Sequence, residues 1–118
     1  HWNTDFDNPA NKKFMEAWNK AYNRPATYYS SQGYDTGQLI ASALKASGGK
    51  LDDSFRDALR KADFQSVRGK FAFGPNQHPI QDWYALKVEK GADGKPVIKT
   101  VGEVFKDHGD AYSANCKM

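Results

Sequence analysis

Apolar residues recur along this chain with two different periods, and the change between them divides it. Phe14, Trp18 and Tyr22 stand four residues apart, with Met15 and Ala21 beside them, which is the stripe of an amphipathic helix. Asn8 is a capping residue, and Pro9 suits the first helical position, where a missing N–H costs nothing. Asn23 and Pro25 stop the helix. On periodicity alone the aromatic stripe is core packing. The connection Arg24 to Ser31 is rich in Tyr and Ser. Within it Tyr28-Tyr29 is compatible with a short buried strand, and Ser30 or Ser31 with the cap of the next helix. That helix runs to about Ser47, with Tyr34, Ala41 and Leu44 on one side and Ile40 and Ala43 adjacent. Gly33 and Gly37 inside it each cost about 1 kcal/mol against Ala, and close approach of a neighbouring backbone is the expected compensation. Gly48-Gly49 ends it.

Asp52 or Asp53 caps a third helix whose stripe is Phe55, Ala58, Leu59 and Ala62. Beyond Phe64 the period falls to two. Lys70 to Phe73 reads as a short strand, broken by Gly74-Pro75-Asn76, and Ile80 to Glu89 alternates again. Ala92-Asp93-Gly94 signals a hairpin turn, with Val97 to Phe105 as the returning strand. Lys106 to Met118 is polar and is expected to lie along the surface. The pattern is α/β: three helices, then a short strand and a β-hairpin.

Composition changes the picture in one respect. Val, Ile, Leu and Phe make only 20 of the 118 residues, yet 16 are aromatic and the net charge is only +3, which argues for a folded chain rather than a disordered one. Three amphipathic helices need a surface to cover, and parallel sheets read as continuous Val/Ile/Leu runs. No such run is present, so the sheet that receives these helices is expected outside this sequence, which reads as a fragment. The pI near 9.0 invites nucleic acid as a partner. Basic and acidic residues are interleaved, however, and no basic run reaches five residues, so a mixed solvated surface is the reading and nucleic acid is excluded. No apolar run approaches a membrane span, and His1-Trp2-Asn3 does not begin a signal peptide. Cys116, the only cysteine, fits either a reducing compartment or a secreted chain whose partner cysteine lies elsewhere.

Catalytic chemistry is not indicated. The three histidines lack metal-ligand spacing, and His108 with Asp107 and Asp110 reads as a solvated tail. There is no phosphate loop, nucleophile elbow or Cys/His signature. Asp52-Asp53 is explained by capping. No enzyme, metal or cofactor is expected. What remains is Tyr28-Tyr29-Ser30-Ser31-Gln32-Gly33-Tyr34-Asp35, which sets aromatic faces, hydroxyls and an amide at a helix N-terminus. Free N–H groups there favour a carboxylate, and a tyrosine face covers apolar substituents. Taken alone, these residues are better explained by tyrosines packed in a core and a serine cap, since such residues commonly serve those ends.

The order of motifs resembles a known family. Asp7-Asn8-Pro9-Ala10-Asn11-Lys12-Lys13-Phe14, Gln32-Gly33-Tyr34-Asp35 and Arg68-Gly69-Lys70-Phe71 are similar to the last third of leucine/isoleucine/valine-type periplasmic binding proteins. His78-Pro79-Ile80-Gln81-Asp82-Trp83-Tyr84, and Val104 to Tyr112, look like one subfamily of them. The resemblance covers essentially the whole chain. It implies the C-terminal portion of a two-lobed type I periplasmic binding protein that lacks most of the parent's parallel sheets. Residues 1–79 would be a return crossover and helices of the N-terminal lobe, and residues 80–118 a strand pair and tail of the C-terminal lobe. It also implies an extracytoplasmic component of an ABC importer in the periplasm, binding a branched-chain or related amino acid between the lobes, with the membrane permease as partner. An aromatic acid or amide as ligand, or a ligand-sensing receptor of the same fold, are the alternatives. The family's pocket aromatic, five positions before the Tyr of the Gly-Tyr-Asp motif, falls on Tyr29, with Ser31 and Gln32 as neighbouring candidates. The fragment itself is expected to self-associate through helix faces that the parent would bury on its sheet (Phe14, Trp18, Tyr22, Leu44 and Leu59), with the hairpin strands offering a partner edge.

Overall fold

The computed structural model describes residues 1–116. Helix α1 (Pro9–Tyr22) begins where Asn8 Oδ1 accepts from the Asn11 N–H at 2.8 Å, and it ends at Asn23 in the left-handed conformation. Helix α2 (Tyr28–Ala46) starts earlier than its serines suggest. The cap is Thr27, whose hydroxyl accepts from the Ser30 N–H, while the Ser30 hydroxyl in turn accepts from the Thr27 N–H. This reciprocal box satisfies two donors that a helix start leaves open. Two expectations are thereby corrected. Tyr28-Tyr29 is not a strand but the first turn of α2, and neither Ser30 nor Ser31 is the cap. Gly33 and Gly37 also differ from expectation, because among the described residues nothing beyond the adjoining residues and backbone of α2 itself lies within 4 Å of where a Cβ would sit on either.

Helix α3 (Asp53–Lys61) is capped by Asp52, which accepts from the Ser54 N–H at 3.0 Å. Ala62, the last member of the predicted stripe, is buried but caps the helix in the left-handed conformation instead of extending it. The strands are β1 (Ala72–Phe73), β2 (Pro79–Lys90) and β3 (Pro96–His108), antiparallel in the order β1-β2-β3. Gly94, at a φ of +79°, closes the β2–β3 turn as the sequence anticipates. The polar tail is shorter than expected, since β3 continues through His108. Beyond it come a 3-10 turn over Ser113–Asn115 and, at Lys117 and Met118, two positions outside the described residues.

The core is small. Trp2, Phe14, Ala26 and Val67 are buried together, with Phe6, Met15, Trp18 and Tyr34 packed against them. Phe14 is therefore a core residue as its period predicts, and its ring lies 4.9 Å from that of Tyr34. The stripe fades along α1: Trp18 is half-buried and Tyr22 is exposed. The Trp18 indole donates to the Arg24 carbonyl at 3.0 Å, and the Arg24 guanidinium lies over both the Trp18 and Tyr22 rings. Leu86, Val88, Ile98, Val101, Val104 and Phe105 are exposed along the hairpin.

Residues 1–6 join the helices to the hairpin. On the helical side the Trp2 indole donates to Asn11 Oδ1 at 2.8 Å, and the Asn11 amide donates to the Thr4 and Phe6 carbonyls. On the other side Asp5 accepts from the Thr100 N–H at 2.9 Å and its hydroxyl at 2.7 Å. The Asn3 amide donates to the Ile98 carbonyl at 3.1 Å. The Phe6 ring lies 4.8 Å from that of Tyr84.

Burial pushes the Asp5 carboxyl up, but hydrogen bonds from Thr100 and Asn3 outweigh it and hold the group below the usual carboxylate range. A depressed native pKa adds stability that is complete above the ordinary value and lost as pH falls through the native one. The clamp on Thr100 should therefore hold at neutral pH and release only when pH falls below the ordinary aspartate range. The Thr100 amide shift followed by NMR through an acid titration should report this release, and Asp5→Asn should abolish that pH dependence.

Candidate functional site

The first five residues of α2 carry the three residues singled out in the sequence, and their environments differ. Tyr29 is 81% exposed, its ring edge-on to Tyr28 at 5.8 Å. Gln32 is half-buried. Ser31 is fully buried, and its hydroxyl donates to the Tyr28 carbonyl at 2.7 Å, so it holds the turn together from within.

The fold brings two further rings to this turn from distant positions. The His1 imidazole lies 4.7 Å from the Tyr28 ring, with the Tyr28 hydroxyl 3.3 Å from His1 Nδ1. The same imidazole meets Trp83 of β2 edge-on at 5.4 Å. Trp83 is 41% exposed. Tyr28, Tyr29, His1 and Trp83 thus form a partly open aromatic corner between the mouth of a helix and the strand that enters the hairpin. Such a corner offers flat apolar faces with hydroxyl and ring N–H groups at their edges. Sequence reasoning quoted His1 and Trp83 without placing them here; their separation along the chain gives no local signal that they meet.

Beneath the corner is a polar connection. Asp35, about two turns further along α2, is only 3% exposed. It accepts from the Ser66 hydroxyl at 2.6 Å and from the Val67 N–H at 3.0 Å. Arg68 Nε stands 3.4 Å from Asp35 Oδ2, near enough for charge attraction but without the alignment of a hydrogen bond. Arg68 Nη1 donates to Gln81 Oε1 at 2.9 Å, and the guanidinium also lies 5.3 Å from the Phe71 ring. Burial pushes the Asp35 carboxyl up, while Ser66, Val67 and the Arg68 charge pull against that. Burial likewise lowers the Arg68 guanidinium, with Asp35 and Tyr28 opposing.

The tail cluster is dispersed. His108 belongs to β3 and stacks on Phe105, Asp107 pairs with Lys70 at 2.7 Å, and Asp110 accepts from the buried Asn76 amide. The solvated-tail reading is corrected to that extent. Among the described residues no group of three His, Cys, Asp or Glu side chains is placed to hold a metal ion, and no helix is long and apolar enough to cross a membrane.

Three helices followed by a short strand and a hairpin match one part of a solute-binding protein fold. The chain belongs to the periplasmic binding protein family, whose model matches residues 1–95. The Leu/Ile/Val-binding protein homolog 6 of Brucella abortus is 32% identical over 114 residues, covering 93% of this chain and 29% of that protein. A solute-binding protein of an ABC transporter from R. palustris, solved in complex with benzoate, is 30% identical. It superposes with a TM-score of 0.86 over 100% of this chain and 32% of its own. A second from Rhodopseudomonas palustris BisB5, in complex with 3,4-dihydroxy benzoic acid, is 29% identical with a TM-score of 0.80, over 93% of this chain and 30% of its own. An ABC-type branched-chain amino acid transporter protein from Rhodopseudomonas palustris CGA009, 20% identical with a TM-score of 0.73, shares the fold. This chain spans about a third of the length of these proteins, as the fragment reading anticipates.

Removing one partner from a buried ion pair leaves the other charge uncompensated, at a cost of roughly 3–5 kcal/mol. Asp35→Asn should therefore destabilise the chain strongly in urea unfolding. Asp35→Asn combined with Arg68→Gln should recover a large part of that loss, because no bare charge then remains buried.

Proposed function

We propose that this chain forms part of the extracytoplasmic, periplasmic solute-binding component of an ABC importer, and that its role is binding rather than catalysis. Residues 1–79 would belong to the N-terminal lobe and residues 80–118 to the C-terminal lobe, with the solute held where they meet. The observation that carries this reading is Tyr29: a large ring left 81% exposed at a helix mouth, edge-on to Tyr28, in a chain of this family. In this reading the Tyr29 face covers the apolar part of the solute, the Gln32 amide approaches its polar end, and Ser31 keeps the turn in shape. Contacts made with both lobes would favour a closed form, which the membrane permease then recognises.

The solute class follows from the corner's chemistry. Rings set edge-on to one another leave flat faces that suit a planar aromatic acid, and two of the similar solved proteins hold benzoate and 3,4-dihydroxy benzoic acid. A branched-chain amino acid is the second reading, favoured by the names of the Brucella relatives. Calorimetry on the complete binding protein with benzoate and with leucine decides between them. Tyr29→Ala should weaken the preferred solute by roughly 1–3 kcal/mol while leaving the fold intact. An unfolded variant, or unchanged affinity, would make Tyr29 a structural residue. The isolated chain should bind either solute only weakly, since most of the cleft is proposed to lie elsewhere.

The isolated chain is also proposed to self-associate. β3 is an edge strand, and Val101, Val104 and Phe105 are exposed along it. An open, apolar edge is a template for pairing with another copy. Light scattering over a dilution series should show a concentration-dependent dimer. A monomer at every concentration would refute it.

A further inference from the structure

The rings of the proposed site come from two elements with no backbone pairing between them: Tyr28 and Tyr29 from α2, and Trp83 from β2. Their spacing has to be fixed by side chains. Besides the tie through residues 1–6, the connection nearest Trp83 is polar and buried. Asp35 is anchored to the Ser66–Val67 backbone by two hydrogen bonds, and the next residue, Arg68, reaches across to Gln81 of β2, two positions before Trp83. The Arg68 side chain is only 10% exposed, and Gln81 is buried.

We propose that Arg68 is the positioning residue that sets Trp83 against the first turn of α2, and thereby the width of the solute site. This rests on the aromatic corner as the solute-facing wall. Arg68 acts through Gln81 and not on the solute. Two demands meet on its side chain: a charge beside Asp35 and a directed N–H toward Gln81. Arginine meets both because its planar fork points separate donors at separate acceptors. A lysine ammonium satisfies the first demand and leaves the second to a flexible stem. A role limited to neutralising Asp35 would leave Gln81 irrelevant, so Gln81 is where the two roles part.

The experiment is NMR on the complete binding protein without solute, comparing the native sequence with Gln81→Met and Gln81→Glu. Gln81→Met keeps the side chain's volume and leaves the Asp35–Arg68 pair untouched. It should abolish the proton contact between the His1 and Trp83 rings while that between His1 and Tyr28 persists. Amide protection from residue 81 to 85 should fall about tenfold relative to Val67, as expected for loss of a charge-assisted hydrogen bond. Gln81→Glu, which still accepts from Arg68, should retain both signals. An unchanged His1–Trp83 contact in Gln81→Met would overturn the proposal. So would an equal fall in protection at Val67, which would make the bond one of general stability. Benzoate-induced shifts at Tyr29 and Trp83 are recorded separately on the complete native binding protein. They test the site itself, so either idea can fail while the other stands.

Discussion

A carboxylate buried inside a helical layer holds this structure together. Asp35 sits on α2 with almost no exposure, and a charge so placed is tolerable only where donors surround it. Those donors come from a single tight segment, Ser66 to Arg68, about thirty residues further along the chain. Satisfying Asp35 therefore fixes where the chain must pass after α3. Val67, whose N–H is one of the donors, then enters the core beside Phe14 and Trp2, and its carbonyl accepts from the Asn8 amide at the start of α1. Arg68 carries the connection on to β2. One buried charge thus ties together both long helices and the strand that leaves them.

A second tie runs through residues 1–6, and it has the same polar character. Trp2 and Asn11 hold this segment to α1, while Asn3 and Asp5 hold it to β3. Helices and hairpin are joined mainly by directed hydrogen bonds and two pairs of rings, Phe6 on Tyr84 and His1 on Trp83, and not by a shared apolar core. Hydrogen bonds fix register yet bury little apolar surface, so motion about such a junction exposes little to water. The apolar residues left uncovered along the hairpin fit a chain that spans about a third of its relatives' length.

Much of this was legible from residue order. Asn8 with Pro9 marked the start of α1, and Gly94 marked the hairpin turn, because caps and turns are set by the residues that form them. Phe14 was identified as core from its period. The α2 start was misplaced because Thr27, Ser30 and Ser31 are all capable caps, and only the reciprocal bonds between Thr27 and Ser30 choose among them. The family resemblance, borne by motifs spread from Asp7 to Tyr112, was confirmed by the match over residues 1–95.

By itself, then, the sequence determined helices, strands, turns and family, since each rests on neighbours within a few residues or on motif order. The tertiary structure alone decided which polar groups are buried and which rings meet. An aspartate on a helix is by default solvated. That Asp35 is enclosed depends on Ser66 and Val67, more than thirty positions away. His1, Tyr28 and Trp83 converge only because the first segment and β2 pass side by side at the mouth of α2. Local periodicity carries no information about such meetings, because they are set by the packing of whole elements and by the few hydrogen bonds that fix the register between them.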